Sequence, residues 1–339
     1  MSDDDTRKRQ QFLFGPPDDA KEPRDSVVEP AAVDPELRVV AAQLPVTLRL
    51  GTSSWSFVGW NGIVYAPGTK QNQLAHGGLA AYGKHPLLRT VGIDRTFYAP
   101  IAEDLFAQYA VSVPPDFRFL VKAWSEVTTP RLRGANGRPG KQNPRWLDVT
   151  TTLDHVLTPA VLGLGERLGP LLFQFPPQGA AVVREPQRFA ERLHAFLTAL
   201  PKGPCYATEL RDHALFTDDY VQAVAAAGAR HCYSVHPSMP SIPEQRARAL
   251  PYGEVVVRWM LQPGSQYADA VERYEPFDRL VDPDPVRRAE VADVVAEALS
   301  RSLPVTVVVN NKAEGSSPRS LELLARAIRD RCPQPPSGA

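Results

Sequence analysis

The sequence predicts an α/β chain whose eight parallel strands close into a single (β/α)8 barrel. Three observations lead there. Short β-rich runs alternate with helical stretches along most of the chain. Several runs are almost continuously apolar, as parallel strands covered on both faces must be. There are eight candidate strands, which fits a closed barrel better than an open doubly wound sheet, the structural alternative.

The runs are Thr47–Gly51, Thr90–Asp94, Arg118–Ala123, Leu171–Phe175, Cys205–Leu210, Arg230–Ser234, Glu254–Trp259 and Val305–Asn310. Helices are predicted between them. Phe189, Leu193, Phe196, Leu197 and Leu200 recur at helical spacing. Thr217 is a good N-cap before DDYVQAVAAAG, and Gly228 suits the stop. Pro285–Ser300 forms another helix, with Val286, Val291, Val294, Val295 and Leu299 as its apolar candidates. Ser317 caps a last helix with Pro318 in its first turn, continued by Leu321, Leu324 and Ile328. Arg131–Pro144 is Gly-rich and basic, and is expected to be a solvated, mobile loop.

Composition narrows the function classes. Lys plus Arg and Asp plus Glu both number 38, so the balanced charge argues against an extended nucleic-acid surface. The three cysteines have no metal-type spacing and suit a reducing compartment. The start MSDDDTRKRQ is no secretory signal, and no window has the roughly 18 apolar residues of a membrane span. A cytoplasmic protein is expected. Residues 1–45, rich in charge and Pro, are expected to be a disordered extension. The barrel is assigned to 46–330 and a C-terminal tail to 331–339.

The polar residues fall where the strands end. In such barrels the C-terminal strand ends carry the active site. Asp94, Lys122, Gln174, Glu209, Arg211, Arg258 and Asn310 all sit at or near those ends. Period-two geometry puts Glu209 and Arg211 on one face, and likewise Val308 and Asn310. If these faces point inward, the polar set converges on one mouth, as a ligand site or as a structural ion network.

At these residues the chain resembles the YecE-like family, domain of unknown function 72. The resemblance rests on GTSSWSFVGWNGIVYAPG (Gly51–Gly68), IDRTFYAP (Ile93–Pro100), FRFLVKAW (Phe117–Trp124), LGPLLFQFPP (Leu168–Pro177), YATELRD (Tyr206–Asp212) and VVVNNKAEGSSPRS (Val307–Ser320). Six blocks in the family's order cover nearly all of the chain from about Leu48 to Ile328. The resemblance implies a (β/α)8 barrel and supplies no activity. One departure stands out. Family members commonly carry Glu, a hydrophobic residue and Asn before the Thr-Phe-Tyr step, where this chain has Gly92, Ile93 and Asp94. A carboxylate has moved from the first of these positions to the third, on the same strand face.

These residues suggest an enzyme acting on a small anionic or sugar/phosphate-like molecule by acid/base chemistry. Glu209, Lys122 and Asp94 are the catalytic candidates. Arg211, Arg258, Gln174, Asn310, Tyr98, Trp124 and Trp259 are the substrate-binding candidates, the arginines for a bidentate grip and the aromatics, with Trp55, as apolar walls. Gly315, Ser316 and Ser317 open a helix whose free N–H groups suit an anion, with ordinary capping as the alternative. Lys122 admits a Schiff base, salt bridging to Glu209 or Asp94 being the blander role. Hydrolase, lyase and isomerase all fit, and oligomeric state is not fixed. No cofactor is expected. A metal-assisted hydrolase with His236 beside Asp94 and Glu209 is a lesser alternative, as is a non-catalytic nucleotide or nucleic-acid-end binder.

Overall fold

The computed structural model describes residues 27–133, 139–262, 264 and 266–332. Its strands are β1 (Leu48–Thr52), β2 (Leu88–Ile93), β3 (Arg118–Lys122), β4 (Arg131–Arg133), β5 (Pro139–Gln142), β6 (Leu168–Phe175), β7 (Tyr206–Leu210), β8 (Arg230–Val235), β9 (Val255–Trp259) and β10 (Val305–Val309). Eight of them close in the order β1-β10-β9-β8-β7-β6-β3-β2, every pairing parallel. The longer helices are α1 (Pro35–Gln43), α2 (Gln71–Tyr82), α3 (Glu103–Val111), α4 (Thr158–Leu164), α5 (Pro186–Ala199), α6 (Asp218–Ala226), α7 (Ile242–Arg248), α8 (Tyr267–Tyr274), α9 (Pro285–Ser300) and α10 (Ser317–Arg329). The eight predicted strands are all present, with ends that differ by up to three residues.

Alternation along each strand divides the core in two. Val121, Phe173, Tyr233, Val257 and Val307 are buried outside the barrel, in the clusters shared with the helices. Each such side chain contributes roughly 1.5–3 kcal/mol. The opposite parity points inward, where Leu120, Leu172, Ala207, Cys232, Val256 and Val308 form a separate apolar layer. α5 follows its predicted stripe, burying Phe189, Leu193, Phe196 and Leu197. The Thr217 hydroxyl accepts from the Tyr220 N–H, and Gly228, at φ 74°, ends the turn after α6. β1 and β2 approach so closely that a Cβ on Gly51 would lie 1.8 Å from the Thr90 carbonyl oxygen. The Tyr82 hydroxyl donates to that same oxygen at 3.0 Å and accepts from the Thr52 N–H at 3.0 Å, tying α2 to both strands.

Four expectations need correction. The expected extension is helical over Pro35–Gln43: Asp34 caps α1 by accepting from the Glu36 N–H, and Leu37, Val40 and Ala41 bury one face. Glu36 pairs with Arg326 of α10 there. Residues 1–26 of the extension, and 333–339 of the tail, lie outside the described residues. The basic stretch 131–144 is not wholly irregular, since β4 and β5 pair antiparallel, with residues 134–138 outside the described set. Val286 is exposed, because the buried stripe of α9 starts one turn later at Val291. Finally, Ser316 holds the cap position of α10 and Ser317 is its first helical residue. No helix of the described residues is long and apolar enough to cross a membrane.

Candidate active site at the barrel mouth

The inward parity continues past the apolar layer into a polar one. Two residues beyond Leu120, Leu172, Ala207, Cys232, Val256 and Val308 come Lys122, Gln174, Glu209, Ser234, Arg258 and Asn310. Above them opens a cavity of about 260 Å³. Its wall takes one residue from each barrel strand or the turn directly after it: Ser53, Asp94, Lys122, Gln174, Arg211, His236, Met260 and Asn310. The connecting segments add Ser54, Phe57, Phe97, Tyr98, Leu261 and Lys312, and α8 adds its first residue, Tyr267.

Beneath the wall lies an ionic chain. Glu209 is fully buried. One of its oxygens meets Arg211 Nη2 at 2.5 Å and accepts from the Ser234 hydroxyl at 2.9 Å. The other meets Arg258 Nη1 at 2.5 Å. Arg258, also fully buried, reaches on to Asp94 at 3.3 Å. Arg211 also donates to the Ser234 hydroxyl at 3.2 Å. Burial alone would push the Glu209 carboxyl up, but Arg211 and Arg258 overcome it and hold the group down at about 2. Glu209 is therefore a fixed anion with its oxygens engaged and its surface closed. The residue expected as an acid/base group thus lies beneath the cavity wall, paired with Arg211 and Arg258.

Lys122 differs from its neighbours. Its ammonium forms no ion pair among the described residues, because arginines hold both nearby carboxylates. It lies 3.7 Å over the Phe97 ring. Burial pulls its pKa down to about 8, against the attraction of Asp94. The expected salt bridge from Lys122 is thus not made. Asp94 opens the turn Asp94–Phe97 after β2, and its side chain keeps 15% exposure on the cavity wall. A Cβ on Gly92 would stand 3.6 Å from Asp94 Oδ1, so the two positions do address the same corner of the mouth.

His236 follows β8 on the wall. Burial, and then Arg211, lowers its pKa to about 3, so the ring is neutral near pH 7. Its Nδ1 accepts from the Ser238 N–H at 3.2 Å, which leaves the proton on Nε2. The Asn310 amide donates to the Ser53 hydroxyl at 2.7 Å, and its oxygen accepts from the Lys312 N–H. Among the described residues no group of three or more His, Cys, Asp or Glu is arranged to hold a metal ion.

Of the predicted binding residues, Arg211, Gln174, Asn310 and Tyr98 line the cavity, and Arg258 stands behind it. Two tryptophans do not reach it. Trp259 has the outward parity and is fully buried against the helices. Trp124 turns away to His155, ring centroids 5.7 Å apart, and to Arg145. Trp55 likewise packs on Tyr109 in the core. Gly315, Ser316 and Ser317 are buried away from the cavity, and the Asn311 side-chain oxygen already accepts from the Ser317 N–H at 2.9 Å and from its hydroxyl at 2.7 Å. Asn311 thus satisfies Ser317 from within, while the buried Ser316 hydroxyl has no hydrogen-bond partner among the described residues. Lys312 and Tyr267, 4.3 Å apart as cation and ring, were not singled out as binding residues. Loop residues carry no periodic signal that would place them.

Comparison with known proteins agrees with this architecture. A DUF72 family protein from Thermotoga maritima is 21% identical, with a TM-score of 0.55 over 84% of this chain and 99% of that one. A DUF72 family protein from Enterococcus faecalis is 16% identical, with a TM-score of 0.54 over 84% and 97%. At these identities the likeness concerns the fold. No curated protein matches the sequence significantly. The family model described as protein of unknown function DUF72 matches residues 49–338, and the chain belongs to that family.

Proposed function

We propose that the barrel mouth binds a small anionic or sugar/phosphate-like molecule and acts on it by acid/base chemistry. One observation carries this reading: a single cavity wall that holds Lys122, without an ion pair among the described residues, together with the carboxylate Asp94, Arg211, Lys312 and two amides. Three cations against one carboxylate favour an anionic guest. Arg211, fixed by Glu209 and Ser234, suits a carboxylate or phosphate oxygen. Gln174 and Asn310 suit hydroxyl groups, and Phe57, Tyr98 and Tyr267 offer apolar faces to a sugar ring. Asp94 would exchange a proton with the guest, and Lys122, whose pKa lies close to neutral pH, would serve as its partner.

The test is native mass spectrometry of the purified chain, followed by calorimetric titration of whatever co-purifies. An anionic molecule that binds the wild type and loses at least ~10-fold in affinity in Arg211→Gln is the expected result. Turnover of that molecule should be lost in Asp94→Asn with binding retained. Binding that tracks only single-stranded oligonucleotides, with a steep salt dependence, would sink the reading in favour of a nucleic-acid-end binder.

A further inference from the structure

We propose that the guest of this mouth is an oxo compound, an aldehyde or ketone carrying an anionic group, and that it condenses with the Nζ atom of Lys122 to form an imine. The inference rests on the acid/base reading above and deepens it by naming the substrate class. The placement of Lys122 carries it. The two cations around Glu209 are arginines, 211 and 258, each held in a carboxylate pair, and the other lysine of the wall, Lys312, lies over the Tyr267 ring. At 122 the mouth has a lysine with no such pair among the described residues. A lysine differs from an arginine in being able to lose its proton and act as a nucleophile. Its side chain is 7% exposed, on the wall of the cavity and over the face of Phe97. Asp94 shares that wall. Arg211 and Lys312 remain to meet the anionic group of the guest.

The chemistry balances with these groups. The ammonium of Lys122 passes one proton to Asp94, and the freed lone pair attacks the carbonyl carbon. The new C–N bond forms as the C=O π pair moves to oxygen, which takes a proton from the attacking nitrogen, giving a neutral carbinolamine. Asp94 returns its proton to the departing hydroxyl, water leaves, and the nitrogen lone pair closes the C=N bond. No oxidant or metal is required. The resulting iminium acidifies the C–H bonds beside it, the entry point for lyase or isomerase chemistry.

The experiment is reductive trapping of the full chain. Pyruvate, glyoxylate and the uncharged glycolaldehyde are offered separately with sodium borohydride, and modified lysines are mapped by peptide mass spectrometry. A pKa of about 8 leaves Lys122 with roughly 300 times the neutral amine of an ordinary lysine at neutral pH. The expected result is a borohydride-dependent adduct on Lys122, saturable in an anionic probe and formed at least ~10-fold faster than on exposed Lys70, Lys84 or Lys202. Inorganic phosphate should slow it. Labelling spread over the exposed lysines with Lys122 unmodified would overturn the imine. Native spectra of the unreduced samples separate the two proposals. Pyruvate or glyoxylate held in the mouth without a Lys122 adduct defeats the imine alone. If neither these probes nor phosphate is retained, both readings fail.

Discussion

Replacing Glu209 with Gln removes one negative charge from a place where water cannot compensate. Arg258 and Arg211 would then share a neutral amide, with one guanidinium facing an NH2 group that donates as it does. Breaking a buried pair by removing one partner costs about 3–5 kcal/mol. The proton equilibrium gives a second route to the size. A carboxyl moved from 4.5 to about 2 corresponds to roughly 3 kcal/mol of folded-state stabilisation. Because the folded value is the depressed one, that stabilisation is complete above pH 4.5 and disappears as pH falls toward 2. Glu209→Gln should therefore melt lower at neutral pH, by about 5–8 °C for a domain of this size, and the gap to wild type should narrow through that acid window. Calorimetric or circular-dichroism melting at a series of pH values measures both. A variant that melts within about 2 °C of wild type at neutral pH, or whose deficit is constant from neutral to acid, would refute the role of Glu209 as the anion that holds the two arginines.

Other outcomes follow from the same geometry. Lys122→Met should raise stability near pH 7 by about 1–3 kcal/mol, because a folded pKa below the unfolded one makes the charged lysine costly. The gain should fade in urea titrations as pH rises from about 8 toward 10.5. Trp259→Ala should cost about 3–5 kcal/mol in denaturant unfolding through the cavity left against the helices. Trp124→Ala, lying off the mouth, should leave ligand affinity within about twofold in calorimetric titration. Asn311→Ala strips the acceptor of the Ser317 N–H and hydroxyl and should lower stability by about 1–2 kcal/mol in the same unfolding assay, with ligand affinity unchanged.

The barrel was legible because its strands are uniform in what they bury. A β-rich run bounded by turns needs no knowledge of its partner to be recognised, and alternation then assigns faces. The same rule located Lys122, Gln174, Arg211 and Asn310. Applied more strictly it would also have excluded Trp259: if Arg258 points inward, its neighbour cannot. α1 was legible too. Asp34 before Pro35, with Leu37, Val40 and Ala41 at helical spacing, is a capped amphipathic helix, masked by the charge and proline of the residues before it. What the sequence does not contain is pairing. That Arg211 and Arg258 close on Glu209 while Lys122 is left alone depends on reach and rotamer across strands, and so does the burial of Glu209 beneath the cavity. Phe97 and Lys312 enter from turns and Tyr267 from the first residue of α8, where neither period nor register applies.

The apolar layer of Leu120, Leu172, Ala207, Cys232, Val256 and Val308 has a consequence for proton traffic. Six of the eight strands place apolar side chains directly beneath the ionic chain, a medium that disfavours the passage of charge along the axis. On the proposed reading, a guest that fills the upper opening would exchange protons chiefly with Asp94 and Lys122, and its release would return them to solvent.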